Sequence, residues 1–104
     1  MMKYTANWHR NKRYGNAVKS GAKLNVKISG AVIVSGMIYK KTWYGKKLLQ
    51  IQQSKNKISF LLKQYKNRKV TGYDTGHYTL KISAYNSKYQ HNLWTDNFLS
   101  LIHI

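Results

Sequence analysis

The sequence predicts a small all-β domain, either β-rich throughout or with one short helix. Apolar and polar residues alternate in several short segments, and turn-forming residues separate these segments at roughly ten-residue intervals. The chain has 104 residues, which is enough for one domain, and it contains no Pro and no Cys. We expect about five or six antiparallel strands in a barrel or sandwich, with an OB-like or SH3-like arrangement.

The central part of the chain carries the strongest strand signals. Every second residue of 23–28 is apolar, which predicts a strand with one buried face. Residues 31–39 are β-branched and apolar and predict a longer strand, in which Gly36 indicates a bulge or bend. A hairpin is predicted around residues 43–45, with residues 47–52 as the return strand.

The next segments are less uniform. Residues 58–65 carry apolar side chains at both helical and strand spacing, and we favour a strand because no helix cap is evident and the preceding elements form a meander. Residues 66–69 predict a charged turn. Residues 78–85 alternate cleanly and predict a strand, and residues 89–94 predict a last one.

The chain divides into three predicted parts. Residues 1–22 form a basic, aromatic N-terminal arm, and residues 23–98 form the β-domain. Residues 99–104 are predicted to be a non-native tail, because they match a translation of the transposon end used to fragment DNA for sequencing. The chain would then be the N-terminal fragment of a larger protein. The N-terminus lacks the apolar region of a signal peptide, so we expect a cytoplasmic protein, or a secreted one if the true start lies upstream of Met1.

The charge balance narrows the range of functions. Nineteen Lys and Arg residues face two acids, Asp74 and Asp96, and the net charge is +17. A carboxylate-pair hydrolase needs two acids held close together, and the only two acids here are far apart in the sequence. Two acids are also too few for a carboxylate-rich calcium or magnesium site, and a chain without Cys has no thiolate zinc site or cysteine nucleophile. Like charges repel within a compact fold, and a polyanionic partner relieves this repulsion.

Nucleic acid, single-stranded DNA or RNA in particular, is the predicted partner, and the protein is predicted to be a non-enzymatic binder without cofactor or metal. Lys side chains would contact phosphates and aromatic rings would stack on bases. One alternative is a module that binds the cell wall or another anionic polymer, or a cationic antibacterial protein. Another is a solvated basic surface without a partner.

Three segments combine aromatic and cationic residues and are the predicted binding sites. The first is the N-terminal arm, with Trp8, Arg10, Lys12 and Arg13. The second is the predicted hairpin, with Tyr39, Lys40, Lys41, Trp43, Tyr44, Lys46 and Lys47. The third comprises Lys63, Tyr65, Lys66, Arg68 and Lys69. In the hairpin, the alternative is that Trp43 or Tyr44 folds back over the open end of the barrel.

The histidines predict no catalytic or metal site. His9, His77 and His91 lack the spacing of metal ligands. Asp74 and His77 lie three residues apart in a glycine-rich segment, where an Asx-type turn is the more common arrangement than a catalytic pair.

Overall fold

The computed structural model describes residues 1–103, and these residues form an all-β structure without a helix, which confirms the predicted class. The strands of this part of the chain are β1 (Lys3–Ala6), β2 (His9–Asn11), β3 (Gly15–Lys19), β4 (Lys23–Ser29), β5 (Ala31–Thr42), β6 (Gly45–Ser54), β7 (Lys57–Leu61), β8 (Lys63–Lys66), β9 (Lys69–Gly72), β10 (Gly76–Asn86) and β11 (His91–Leu101).

The strands assemble into two main sheets and a separate hairpin. Strands β1, β4 and β7 form an antiparallel three-stranded sheet, and a six-stranded sheet has the order β2-β3-β11-β10-β5-β6. Within the six-stranded sheet, β3 and β11 run parallel, and the other neighbours are antiparallel. Strands β8 and β9 pair with each other as a hairpin.

The two main sheets pack face to face as a sandwich. Alternate residues of β4 and β7 are buried, and they meet the buried residues of β5 and β10 in one hydrophobic core. This is the arrangement that period-two alternation predicts, because successive strand residues point to opposite faces. Of the barrel and the sandwich that the sequence predicts, the sandwich describes this packing.

Gly36 has a different role from the predicted bulge or bend. Its register is regular, since it pairs with Ile82 on one side and Gln52 on the other. A Cβ atom at Gly36 would lie 2.7 Å from Cζ of Phe60, which belongs to the opposite sheet. The absence of a side chain therefore lets the Phe60 ring pack closely. The register shifts of β5 occur elsewhere, opposite residues 85–86 and at residues 38–39.

Both ends of the described chain take part in the sheets. Residues 1–22 contribute β1, β2 and β3, which pair with β4 and β11. Residues 99–101 extend β11 and pair with β3. The predicted strand at residues 58–65 is divided into β7 and β8. The non-native origin of residues 99–104 stays a prediction, and Ile104 lies outside the described residues. None of the described residues belongs to a helix capable of crossing a membrane.

Candidate functional site

A cavity of about 440 Å³ lies on the outer face of the six-stranded sheet, at the base of the β5–β6 hairpin. Lys41 pairs directly with Lys46 across this hairpin. Strand β10 brings His77 beside them, because His77 precedes Tyr78, which pairs with Lys40. The cavity lining consists of Lys41, Thr42, Gly45, Lys46, His77, Tyr78, Thr79 and Asn97.

The polar groups of this cavity are mainly hydrogen-bond donors. Thr79 Oγ1 donates to Asn97 Oδ1 at 2.9 Å, which orients the Asn97 amide so that its Nδ2 group is left to donate. Thr42 Oγ1 donates to the Gly45 carbonyl at 2.7 Å and closes the hairpin turn. The lining contains no carboxylate. Two ammonium groups and an oriented amide in one cavity are suited to an anion.

The tip of the β5–β6 hairpin presents two aromatic rings to solvent. Trp43 is 95% exposed and Tyr44 is 63% exposed. Their rings contact edge to face, with centroids 5.2 Å apart. The hairpin is the one that the sequence predicts, and neither ring folds back over the sandwich. Because the Trp43 ring is almost fully exposed, it contributes little to the stability of the fold. This tip is therefore a candidate contact surface.

Asp74 forms ion pairs with two of the lysines in the predicted binding sites. Its Oδ2 atom lies 3.2 Å from Lys40 Nζ and 3.5 Å from Lys66 Nζ. The hydrogen bond from Lys40 holds the pKa of Asp74 below its ordinary value, and burial opposes this effect in part. Asp74 therefore pairs with lysines of two different hairpins and not with His77.

Asp96 is also engaged. Asn16 Nδ2 donates to Asp96 Oδ1 at 2.9 Å, and the Tyr4 hydroxyl donates to Asp96 Oδ2 at 3.4 Å. Burial, together with the negative charge of Asp96, raises the pKa of the Tyr4 hydroxyl well above its ordinary value. Both carboxylate side chains of the sequence thus have partners within the fold.

The N-terminal segment is folded into strands, whereas the sequence predicts an arm whose aromatic rings stack on a ligand. The Trp8 ring packs on Phe98, with centroids 5.4 Å apart, and it lies against the hydrophobic core. Its face is therefore not free to stack on a ligand. Arg10 donates to Asn16 Oδ1, and the Arg13 guanidinium lies 5.3 Å from the centre of the Tyr14 ring. Lys12 lies in the turn between β2 and β3.

The third predicted segment forms the β8–β9 hairpin. Tyr65 pairs with Val70 and Lys66 with Lys69, and Tyr65 is 75% exposed. Lys63 pairs with Gly72 at the other end of this hairpin. Arg68 lies in the turn, where it adopts a positive φ. Lys66 is held by Asp74, which links this hairpin to Lys40 of β5.

His77, Thr42 and Asn97 are lining residues that sequence reasoning missed. His77 and Asn97 lie far from the hairpin in the sequence, and they reach the cavity only because β10 pairs with both β5 and β11. A one-residue shift of register would move each of them to the other face of the sheet. The alternation of β10 predicts that His77 lies on the face opposite to the buried Tyr78, and this is the one sequence signal for the position of His77.

Comparison with known proteins identifies the fold. No protein-family model matches the chain, and no curated protein sequence matches it. Among solved structures, the chain is similar to CopC from Methylosinus trichosporium OB3b, with a TM-score of 0.55, 16% identity, and coverage of 88% of this chain and 87% of that one. It also matches part of a mutant (D270A) β-glucosidase from Listeria innocua in complex with laminaribiose, with a TM-score of 0.47 and 8% identity, covering 94% of this chain and 16% of that one.

The comparison with CopC corrects the predicted function. CopC is a β-sandwich and a copper-binding periplasmic protein. A likeness over most of both chains to such a protein overturns the prediction that this chain is a nucleic-acid binder, whether of DNA or of RNA. At 16% identity, the likeness establishes the sandwich fold of this chain and does not transfer copper binding to it.

Proposed function

We propose that this β-sandwich is a non-enzymatic module that binds a phosphate-bearing anionic polymer of the cell envelope, such as a teichoic acid, outside the cytoplasm. The observation that carries the proposal is the cavity at the base of the β5–β6 hairpin, where Lys41, Lys46 and His77 converge without a carboxylate. Lysine is a common phosphate ligand and acts there as a point charge.

The exposed hairpin tip supports a polymer as the ligand. Trp43 and Tyr44 lie directly beyond the cavity residues Lys41 and Thr42 in the same turn. A polymer that places one phosphate in the cavity can lay its next carbon-rich unit on these rings, which bury apolar surface and accept hydrogen bonds at the Tyr hydroxyl. A free phosphate ion would use the cavity alone.

The charge of the whole chain favours an anionic ligand over a cationic one. The net charge is +17, and the two carboxylates that could balance part of it are already bound to Lys40, Lys66, Tyr4 and Asn16. Uncompensated charge of one sign attracts and concentrates ligands of the other sign.

Copper binding does not fit this chain, although the fold is similar to that of CopC. The described residues 1–103 hold no group of three or more His, Cys, Asp or Glu side chains that could coordinate a metal ion. Imidazole is a copper ligand, but here His77 is flanked by Lys41 and Lys46 in a cavity that repels cations. No step of the proposed function involves a metal.

The location outside the cytoplasm is part of the proposal. CopC, which has a similar fold, is a periplasmic protein, and envelope polymers are accessible to an exported protein. The absence of an enzymatic role is proposed because Asp74 and Asp96 are held by other partners, so neither is available to orient His77 as a general base.

Binding of purified teichoic acid at fixed salt tests the proposal. A Lys41→Gln/Lys46→Gln variant is expected to bind the polymer at least about tenfold more weakly, since a charge-assisted hydrogen bond contributes about 1.5–3 kcal/mol. Trp43→Ala is expected to weaken binding by about fivefold without lowering the melting temperature, because a fully exposed ring contributes little to the core.

The matched control is Lys19→Gln/Lys88→Gln, which removes the same charge at exposed positions outside the cavity. It should weaken binding no more than about twofold. An equal loss in both double variants, or equally tight binding to polyglutamate of the same charge density, would show general charge attraction and overturn the proposal.

A further inference from the structure

The outer face of the three-stranded sheet carries a pair of directly opposed like charges, as the β5–β6 and β8–β9 hairpins also do. Lys27 of β4 is directly opposite Lys57 of β7 in the antiparallel register. Like charges in directly opposed positions destabilise a sheet. Neither acid of the sequence compensates them, because Asp74 binds Lys40 and Lys66, and Asp96 binds Asn16 and Tyr4. An anion bound between the two lysines would therefore relieve their repulsion.

The two lysines line a groove of about 610 Å³. The groove is shared by β1, β4 and β7, and its remaining lining comprises Thr5, Ala6, Asn7, Asn25, Val26, Ile58 and Ser59. It has no residue in common with the cavity at the β5–β6 hairpin, and it lies on the other outer face of the sandwich.

Hydrogen bonds within the groove orient one further donor. Ser59 Oγ donates to Asn25 Oδ1 at 2.7 Å, which fixes the oxygen side of this amide. Asn7 is occupied on both sides, since its Oδ1 accepts from the Asn25 backbone NH at 2.7 Å and its Nδ2 donates to the Lys23 carbonyl at 3.3 Å. The Nδ2 group of Asn25 is thus oriented to donate to a ligand, and Asn7 keeps a second Nδ2 proton beside it.

We infer that this groove is a second anion site, which binds a phosphate group through Lys27, Lys57 and the Asn25 amide. Two ammonium groups and an amide NH₂ supply donors without a competing acceptor carboxylate, and a phosphate has several acceptor oxygens to receive them. The inference goes beyond the proposed function and does not depend on it, because the two sets of lining residues are disjoint.

Titration of the ¹⁵N-labelled protein with pyrophosphate, followed by NMR, tests the second site. The side-chain NH₂ signals of Asn25 and the backbone signals of Lys27 and Lys57 are expected to shift and to saturate. In Lys27→Gln and in Lys57→Gln the dissociation constant read from these signals should rise at least about tenfold. Lys88→Gln, which removes one charge from the β10–β11 turn, should leave it unchanged within about twofold.

A second measurement uses the stability of the free protein. At low salt and without pyrophosphate, Lys57→Gln should melt at a higher temperature than the wild type, because it removes the repulsion from Lys27. Addition of pyrophosphate should then stabilise the wild type more than the variant. Lys88→Gln, which lies between β10 and β11 and has no lysine directly opposite, should raise the melting temperature less than Lys57→Gln does, and pyrophosphate should stabilise it as much as the wild type.

The inference is wrong if pyrophosphate shifts the Asn25 signals equally in the wild type and in both groove variants, or if the shifts spread evenly over all lysines. Glutarate in place of pyrophosphate separates phosphate from carboxylate recognition, and equal affinity for glutarate would overturn the phosphate assignment. Comparison of pyrophosphate with teichoic acid separates a free phosphate from a polymer as the source. Failure of the Lys41/Lys46 experiment would leave these results intact.

Discussion

Gly36 shows how one missing side chain controls the distance between the two sheets. A Cβ atom at this position would lie 2.7 Å from Cζ of Phe60 and 3.0 Å from Cδ1 of Ile82, and the Phe60 ring is fully buried. Because the core is closely packed, neither neighbour can withdraw without moving its own contacts. We expect Gly36→Ala to lower the free energy of unfolding by about 1–3 kcal/mol, which chemical denaturation would measure.

Gly76→Ala is the matched control for this substitution. Gly76 is the first residue of β10, and nothing lies within 4 Å of the Cβ atom that Ala would add. The control should change stability by no more than about 0.5 kcal/mol. If Gly36→Ala is as mild as Gly76→Ala, the close approach of Phe60 to the backbone is not what keeps this position free of a side chain.

At the scale of single elements, the sequence predicts best those strands that are buried on one face. Strand β4 alternates between exposed Lys or Asn and buried Leu24, Val26 or Ile28, and β10 behaves similarly. Strands β1, β2, β8 and β9 have three or four residues each, and too few of these are buried for the period of two to be visible. The sequence therefore predicts an arm and turns where the structure has short strands.

The candidate site could be predicted only in part for the same reason. The β5–β6 hairpin, with Lys41 and Lys46, follows from local turn signals. The position of His77 beside them depends on the register of β10 against β5, which packing of the whole core decides. The close contact between Phe60 and Gly36 likewise joins two sheets and has no local signal in the sequence.

The β8–β9 hairpin allows a prediction for one element. Its two turn residues, Asn67 and Arg68, have φ values of 53° and 63°, and this left-handed conformation is unfavourable for Arg. Asn followed by Gly is the preferred pair in a two-residue hairpin turn. Arg68→Gly should therefore raise the free energy of unfolding by about 0.5–1 kcal/mol in thermal or chemical denaturation.

Arg68→Ala separates the backbone effect from the charge effect. Alanine removes the same positive charge but keeps the cost of the left-handed conformation, so this variant should gain much less stability than Arg68→Gly. Equal stabilisation by the two substitutions would mean that charge repulsion near Lys66 and Lys69, and not backbone strain, limits the hairpin.

At the scale of the whole molecule, the distribution of the lysines determines how stability depends on salt. The protein measures 44 × 32 × 25 Å and carries a net charge of +17. At an ionic strength of 0.01 M the Debye length is about 30 Å, so charges on opposite sides of the sandwich still repel each other. At 0.15 M the Debye length is about 8 Å, and only near neighbours such as Lys27 and Lys57 repel each other strongly. Added NaCl should therefore stabilise the folded state.

We expect the melting temperature to rise by at least about 4 °C between these two ionic strengths, which corresponds to about 1 kcal/mol for a domain of this size. A variant with Lys19, Lys55, Lys69 and Lys88 all changed to Gln should show a smaller rise, because it has lost repulsive pairs without losing a described ion pair. Sucrose at equal osmolality controls for effects of the solute other than screening. A melting temperature that falls with NaCl, or a quadruple variant that responds as strongly as the wild type, would mean that repulsion among the lysines is not the force that an anionic ligand relieves.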